Sequence, residues 1–145
     1  MSNGFLGRFE YQMDEKGRVS LPSAFRRGEE ADRFVLIQWE KPYLTLFPIP
    51  VWAEVEQRLL GFRKSNPDAW PLVREVLGNA AHIAPDKQGR ILVPPVLKDA
   101  ANLVGTIVLN GNIDRIEVWN LEDYRAHAEK VVAEDVRQFA RQVFG

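Results

Sequence analysis

Apolar and polar positions in this chain form two series that run through the same elements in the same order. From Phe9, large residues alternate with polar ones through Tyr11 and Met13, the period-two signature of a half-buried strand. The polar stretch Asp14 to Arg18 reads as a turn, and Val19 and Leu21 resume the alternation in a short strand. Pro22 then ends the ladder, because proline has no N–H to give a neighbouring strand. A brief helical turn is expected next, followed by two strands rich in Val, Ile, Leu and aromatics, Arg33 to Trp39 and Tyr43 to Phe47. A helix closes the series, with Pro50 suited to its first position, Val51, Val55 and Leu59 on one face, and Gly61 as its stop. The second series stops its short strand at Pro94 and ends in a long helix from Leu121 to Phe144. Asn120 is its candidate N-cap, with Asp123 three residues on, and Tyr124, Ala128, Val131, Val132, Val136, Phe139 and Val143 form its apolar stripe. Between the two series, "SNPDAWPLVREVLG" predicts an extra helix capped by Ser65 or Asn66, apolar on Leu72, Val73, Val76 and Leu77, and stopped by Gly78.

The correspondence extends to individual residues. "MDEKGRVSLPSAFR" from Met13 aligns with "PDKQGRILVPPVLK" from Pro85 at an offset of 72, with Asp, Gly, Arg and Pro identical and Arg26/Lys98 similar in kind. The same offset sets "FVLIQW" from Phe34 on "TIVLNG" from Thr106, and "YLTLFPIPVW" from Tyr43 on "RIEVWNLEDY" from Arg115. Each unit has too few strands to bury two sheet faces alone. The expectation is therefore that the halves interleave into one small barrel or sandwich with approximate twofold symmetry, a mainly β fold with added helices, of the α+β class.

Composition narrows the chemistry. The chain has 145 residues, 46% of them hydrophobic and 27% charged, which suits a globular domain with a real core. It contains no cysteine, so disulfides, thiolate metal sites and cysteine nucleophiles are excluded. The two histidines, His82 and His127, lie far apart without ligand spacing, and no metal or other cofactor is expected. There is no Gly-rich phosphate loop, no Gly-x-Ser-x-Gly and no histidine close in sequence to a serine, so an enzyme with a small-molecule substrate is the least favoured class. No apolar run reaches the roughly 18 residues of a membrane span, so a cytoplasmic protein is expected. Trp39, Trp52, Trp70 and Trp119 read as core or interface residues.

The net charge of -1 argues against a generally basic nucleic-acid binder, yet the charge is polarised. Residues 1–27 carry five basic groups against three acidic ones, and residues 80–98 three against one, whereas residues 110–145 carry five against seven. The excess of cations coincides with the repeated Asp-x-x-Gly-Arg turns. Pure turn chemistry is one reading, since Asp accepts N–H groups two residues on and Gly supplies positive φ. An exposed Asp–Arg pair, however, stabilises by only about 0–1 kcal/mol, little reason to carry it twice. The other reading is a face that meets an anionic polymer.

Together, "FLGRFEYQMDEKGRVSLPSAFR", the second "DKQGRILVPP" and the strand pair ending in "IEVW" closely resemble the MraZ family of bacterial transcriptional regulators, over nearly the whole chain. The resemblance implies tandem AbrB-like swapped-hairpin halves in one β-barrel, at residues 5–51 and 79–124, with a helical linker at 52–78 and a C-terminal helix at 125–145. It also implies a nucleoid-associated homo-oligomeric ring that binds double-stranded DNA at short direct repeats in the promoter of its own operon, at the head of the division and cell-wall gene cluster. Carried over by position, Arg18 is the DNA-contacting residue, with Lys16 beside it and Asp14 orienting the loop. Arg90 and Lys87 occupy the second motif, whose role is either contact or structure, and Arg8 and Arg26 are flanking cations within reach of phosphates. Three features depart from the family pattern: the residues before Gly4, Val96 where an acidic residue is common, and "GNID" at the second strand turn. The rival reading is a ring-forming scaffold that docks a protein partner, with structural turns and no DNA.

Overall fold

The computed structural model describes residues 4–28 and 30–145, so the three residues before Gly4 lie outside it. Its strands are β1 (Arg8–Gln12), β2 (Arg18–Ser20), β3 (Phe34–Ile37), β4 (Leu44–Pro48), β5 (Ala81–Ile83), β6 (Arg90–Leu92), β7 (Thr106–Gly111) and β8 (Ile116–Asn120). Its helices are α1 (Ile49–Ser65), α2 (Trp70–Leu77), α3 (Pro95–Ala100), α4 (Leu121–Ala128) and α5 (Ala133–Phe144). With 40% helix and 26% strand the fold is mixed α+β.

Six strands form one antiparallel sheet in the order β1-β7-β8-β4-β3-β5, and β2 pairs with β6 in a separate ribbon. The halves are exchanged: β1 of the first pairs with β7 of the second, and β5 of the second with β3 of the first. The pairs Val19↔Ile91 in the ribbon and Thr45↔Glu117 in the sheet each join residues 72 positions apart, so the pseudo-twofold axis passes through both. Each sheet edge runs through an Asp-x-x-Gly turn into the ribbon, which folds over one sheet face and closes the barrel.

Strand periodicity explains the core. Val19, Leu21, Ile91 and Val93 from the ribbon strands and their continuations meet Leu36, Leu46, Leu109 and Val118 from the sheet, with Phe25 and Leu97 filling the ends, all buried. The alternate residues Val35, Ile37 and Phe47 lie on the outer sheet face and pack against Trp52, Val55 and Leu59 of α1. β3 is thus buried on both faces, which is why it reads as a continuous apolar run. Helix α4 covers the outer face of β7 and β8, as α1 covers β3 and β4.

Register corrects the alignment at one strand. Leu36 pairs with Ala81 and Leu46, while Leu109 pairs with Phe9 and Val118. Phe9/Ala81 and Leu46/Val118 keep the offset of 72, so the counterpart of Leu36 is Leu109 and that of Phe34 is Ile107, not Thr106. An extra residue before β7 is absorbed by a shorter turn after it. That turn contains "GNID", where Ile113 has φ 65° and bridges to Phe5. Val96, the other departure, lies exposed on α3.

The helices depart further from expectation. Gly61 does not stop α1, which continues to Ser65, where Asn66 Nδ2 donates to the carbonyl of Phe62 at 2.9 Å. A mid-helix glycine costs only about 1 kcal/mol, and Arg63 stacked 3.9 Å over the Trp70 ring ties this end to α2. On α2, Val73 is buried, but Leu72 is exposed. The 51/52 boundary falls inside α1 and the 124/125 boundary inside α4. Asn120 does cap α4, its Oδ1 accepting the N–H groups of Glu122 and Asp123. The expected single helix from Leu121 to Phe144 is two. Val132 is extended, and Asp135 accepts its N–H at 3.3 Å, starting α5 afresh. α5 buries no residue, so most of the stripe serves no core of its own chain. Trp52 and Trp119 are buried, whereas Trp39 and Trp70 are exposed.

Ile91→Ala, at the axis, is expected to cost about 2–5 kcal/mol. Urea denaturation should show one transition at a lower midpoint, since the ribbon is shared by both halves.

Candidate nucleic-acid interface

The two turns are wired alike. In the first, Asp14 Oδ1 accepts the N–H groups of Lys16 and Arg18, both at 2.9 Å, and Oδ2 accepts Arg18 Nε at 2.7 Å. In the second, Asp86 Oδ1 accepts from Gln88 and Arg90 at 2.9 and 3.0 Å, and Oδ2 from Arg90 Nε at 3.1 Å. Gly17 and Gly89 take φ of +85° and +77°, the left-handed conformation that closes each turn. Backbone donation from Arg18 is the main force holding the Asp14 carboxyl below its ordinary value, opposed by partial desolvation and aided by the guanidinium; Arg90 does the same for Asp86. Each aspartate is therefore an anionic hub that grips its arginine by Nε. Among the described residues the terminal nitrogens of Arg18 have no hydrogen-bond partner.

Ribbon pairing brings the hubs together. Arg90 Nη1 lies 3.9 Å from Asp14 Oδ2, and Arg90 Nη2 donates to Gln88 Oε1 at 3.4 Å. The register sets Arg18 opposite Leu92 and Ser20 opposite Arg90. Val19 and Ile91 point into the core, so Arg18, Ser20, Arg90 and Leu92 form the ribbon's outer face. The arginine side chains are about 30% exposed, neither buried nor free to wander. Lys16 and Lys87 are exposed at the turn tips.

The exchange of halves also moves the flanking cations. A Cβ on Gly89 would strike the Arg26 guanidinium, so Arg26 belongs to the second turn and not to the first, beside which it stands in sequence. Lys98, its repeat counterpart, packs against Gly17 of the first turn. A hollow of about 360 Å³ at the second turn is lined by Arg26, Arg33, Asp86 and Lys87 among others. Arg8 does not join this cluster. It lies at the far end of β1, donating to Asn110 Oδ1 and stacked over Tyr124. Lys98, Arg33, Ser20 and Leu92 were absent from the residues expected at the site; only the alignment of Lys98 with Arg26 signalled any of them. His82 is exposed on β5, and His127 rests against Trp119 with Nδ1 2.9 Å from the Asp123 carbonyl. Among the described residues no group of three His, Asp or Glu could hold a metal ion, and no helix is long and apolar enough to cross a membrane.

Two exchanged hairpins, a shared ribbon and helices on the outer sheet face define a tandem AbrB-like swapped-hairpin barrel. The family model of the MraZ protein, described as antitoxin-like, matches the chain twice, over residues 5–74 and 76–144, meeting within α2. The chain is 37% identical over 121 residues to a protein from Herpetosiphon aurantiacus named transcriptional regulator MraZ, covering 83% of this chain and 84% of that one. A relative of the same name from Desulforamulus reducens is 38% identical over 128 residues, covering 86% and 89%, and one from Oenococcus oeni is 32% identical over 139, covering 96% of each. The chain belongs to the MraZ family.

Because both carboxyls are lowered from the ordinary 3.8, they contribute stability that is complete above that value and lost as pH falls through the lowered ones. Below about pH 4 the stability of the wild-type protein should fall more steeply with acid than that of the Asp14→Asn, Asp86→Asn double variant, as measured by urea midpoints across pH.

Proposed function

We propose that the protein is a DNA-binding transcriptional regulator, acting as a ring-shaped homo-oligomer on direct repeats in the promoter of the division and cell-wall gene cluster. The observation that carries this reading is the outer face of the β2–β6 ribbon. Its two arginines sit diagonally across a pseudo-twofold axis, each oriented through Nε by the aspartate of its own turn. A two-stranded ribbon fits the major groove, where arginine pairs with guanine O6 and N7. Lys16, Lys87, Lys98 and Arg26 lie at or beside the turns, where cations neutralise phosphates. The relatives' shared name, transcriptional regulator, supports the same reading, and it is not the name of an enzyme class.

Assembly supplies the affinity. One protomer offers few cations on a chain of net charge -1, so its own grip is weak. Several protomers on successive repeats raise the effective concentration of each remaining contact. The ring draws support from α5, which leaves Val136, Phe139 and Val143 more than half exposed. A groove of about 980 Å³ along α1, lined by Trp39, Val55, Leu59 and Phe62 together with the charged Glu40, Arg58, Asp114 and Arg115, lies elsewhere on the same chain. A helix on one copy meeting a groove on the next is a head-to-tail contact, the kind that closes rings. The same exposed helix favours the rival reading, a scaffold that docks another protein; such a scaffold should ignore promoter DNA at any salt.

Arg18→Ala titrated against the upstream DNA should bind more weakly and lower the slope of log affinity against log salt by about 1 for each phosphate that goes unneutralised. Unchanged affinity and slope would remove the ribbon from the interface. Phe139→Glu should shift native mass toward the 16.6 kDa protomer and weaken DNA binding, while leaving far-ultraviolet circular dichroism intact.

A further inference from the structure

The ribbon's pseudo-symmetry is broken at one pair of positions on its outer face. Ser20 and Leu92 are repeat counterparts, 72 positions apart, and each lies directly across from the other half's arginine. Leu92 belongs to neither core cluster and is 54% exposed on the strand face that carries Arg18 and Arg90. The turn tips differ too, Glu15–Lys16 against Lys87–Gln88, but each presents one cation, and a cation on phosphate carries no sequence information.

We propose that Leu92 reads a thymine C5-methyl in the major groove and, with Ser20 in the counterpart position, gives the ribbon a fixed direction along DNA. The proposal rests on the DNA-binding reading above and says which base and which polarity that interface recognises. The thymine methyl is the one apolar group that a base edge offers in the major groove. Residues two apart on a strand are separated by about 6.6 Å, close to two base-pair steps, so Leu92 falls within about two steps of a guanine held by Arg90. A ribbon with identical residues at both positions would read the same signal from each strand and favour a palindrome. With Leu on one side and Ser on the other, the two orientations on a duplex are unequal, which is what recognition of direct repeats requires.

The test uses the full-length protein and a duplex of its upstream DNA made either with thymidine or with deoxyuridine at every thymidine position, which deletes only the methyl groups. The wild-type protein should bind the thymidine duplex about fourfold more tightly for each methyl buried. Leu92→Ala should bind both duplexes alike, near the wild-type affinity for the deoxyuridine duplex, whereas Arg18→Ala should bind both more weakly and keep the ratio. Ser20→Leu should narrow the preference for directly repeated over inverted sites. Equal thymidine-to-deoxyuridine ratios for the wild type and Leu92→Ala overturn the proposal, as does a change of native mass in Leu92→Ala, which would assign the side chain to a subunit contact. Binding that ignores methyl groups sinks this inference alone; a wild-type protein that binds neither duplex at low salt sinks the DNA-binding reading with it.

Discussion

Val19 and Ile91 meet across a ribbon of three residues a side, buried almost completely, and the rest of the molecule is arranged around that contact. Neither half can close its own core, because its first strand pairs in the other half and its short second strand has no partner at home. Pairing β2 with β6 satisfies both backbones, places Leu21 and Val93 over the sheet, and draws the two sheet edges together. A shared ribbon makes the halves one cooperative unit. It also leaves the outer ribbon face outside the core, since the inner face alone supplies the apolar packing.

That division of labour governs the electrostatics. Each aspartate accepts two backbone N–H groups and one guanidinium nitrogen, so turn geometry and arginine direction are decided by one carboxylate. Antiparallel pairing then sets the two arginines diagonally, and the exchange brings Arg26 and Lys98 to the turns of the opposite halves. A chain of net charge -1 thereby gathers positive charge at one end without being basic as a whole.

The C-terminal region shows a different balance. α4 is capped by Asn120 and packed on β7 and β8, so its helix needs nothing outside the chain. After the extended Val132, α5 has a strongly one-sided apolar face and no buried residue. An isolated helix of 12 residues is marginal in water, so its apolar face has most to gain from burial against another surface.

The duplication was legible in the chain itself as one pattern written twice, and the strand alternation around Phe9 and Val19, the stop at Pro22 and the cap at Asn120 were legible because each depends on neighbours within a few positions. Asp14 and Arg18 were legible as a pair for the same reason. The passage of α1 through Gly61, the one-residue shift at β7 and the break before α5 were not, since each is settled by what packs against the segment or by a single side-chain hydrogen bond. Nor could local reading set Arg26 against the second turn, hold Arg8 apart at the far end of β1, or bring Lys98 and Leu92 onto or beside the ribbon. Sequence alone determined that two like hairpins exist and which residues orient their arginines; tertiary structure decided which half each hairpin joins. The reason is physical: a turn is stabilised by contacts four residues apart, whereas a strand's partner is chosen by which distant edge can bury its apolar face.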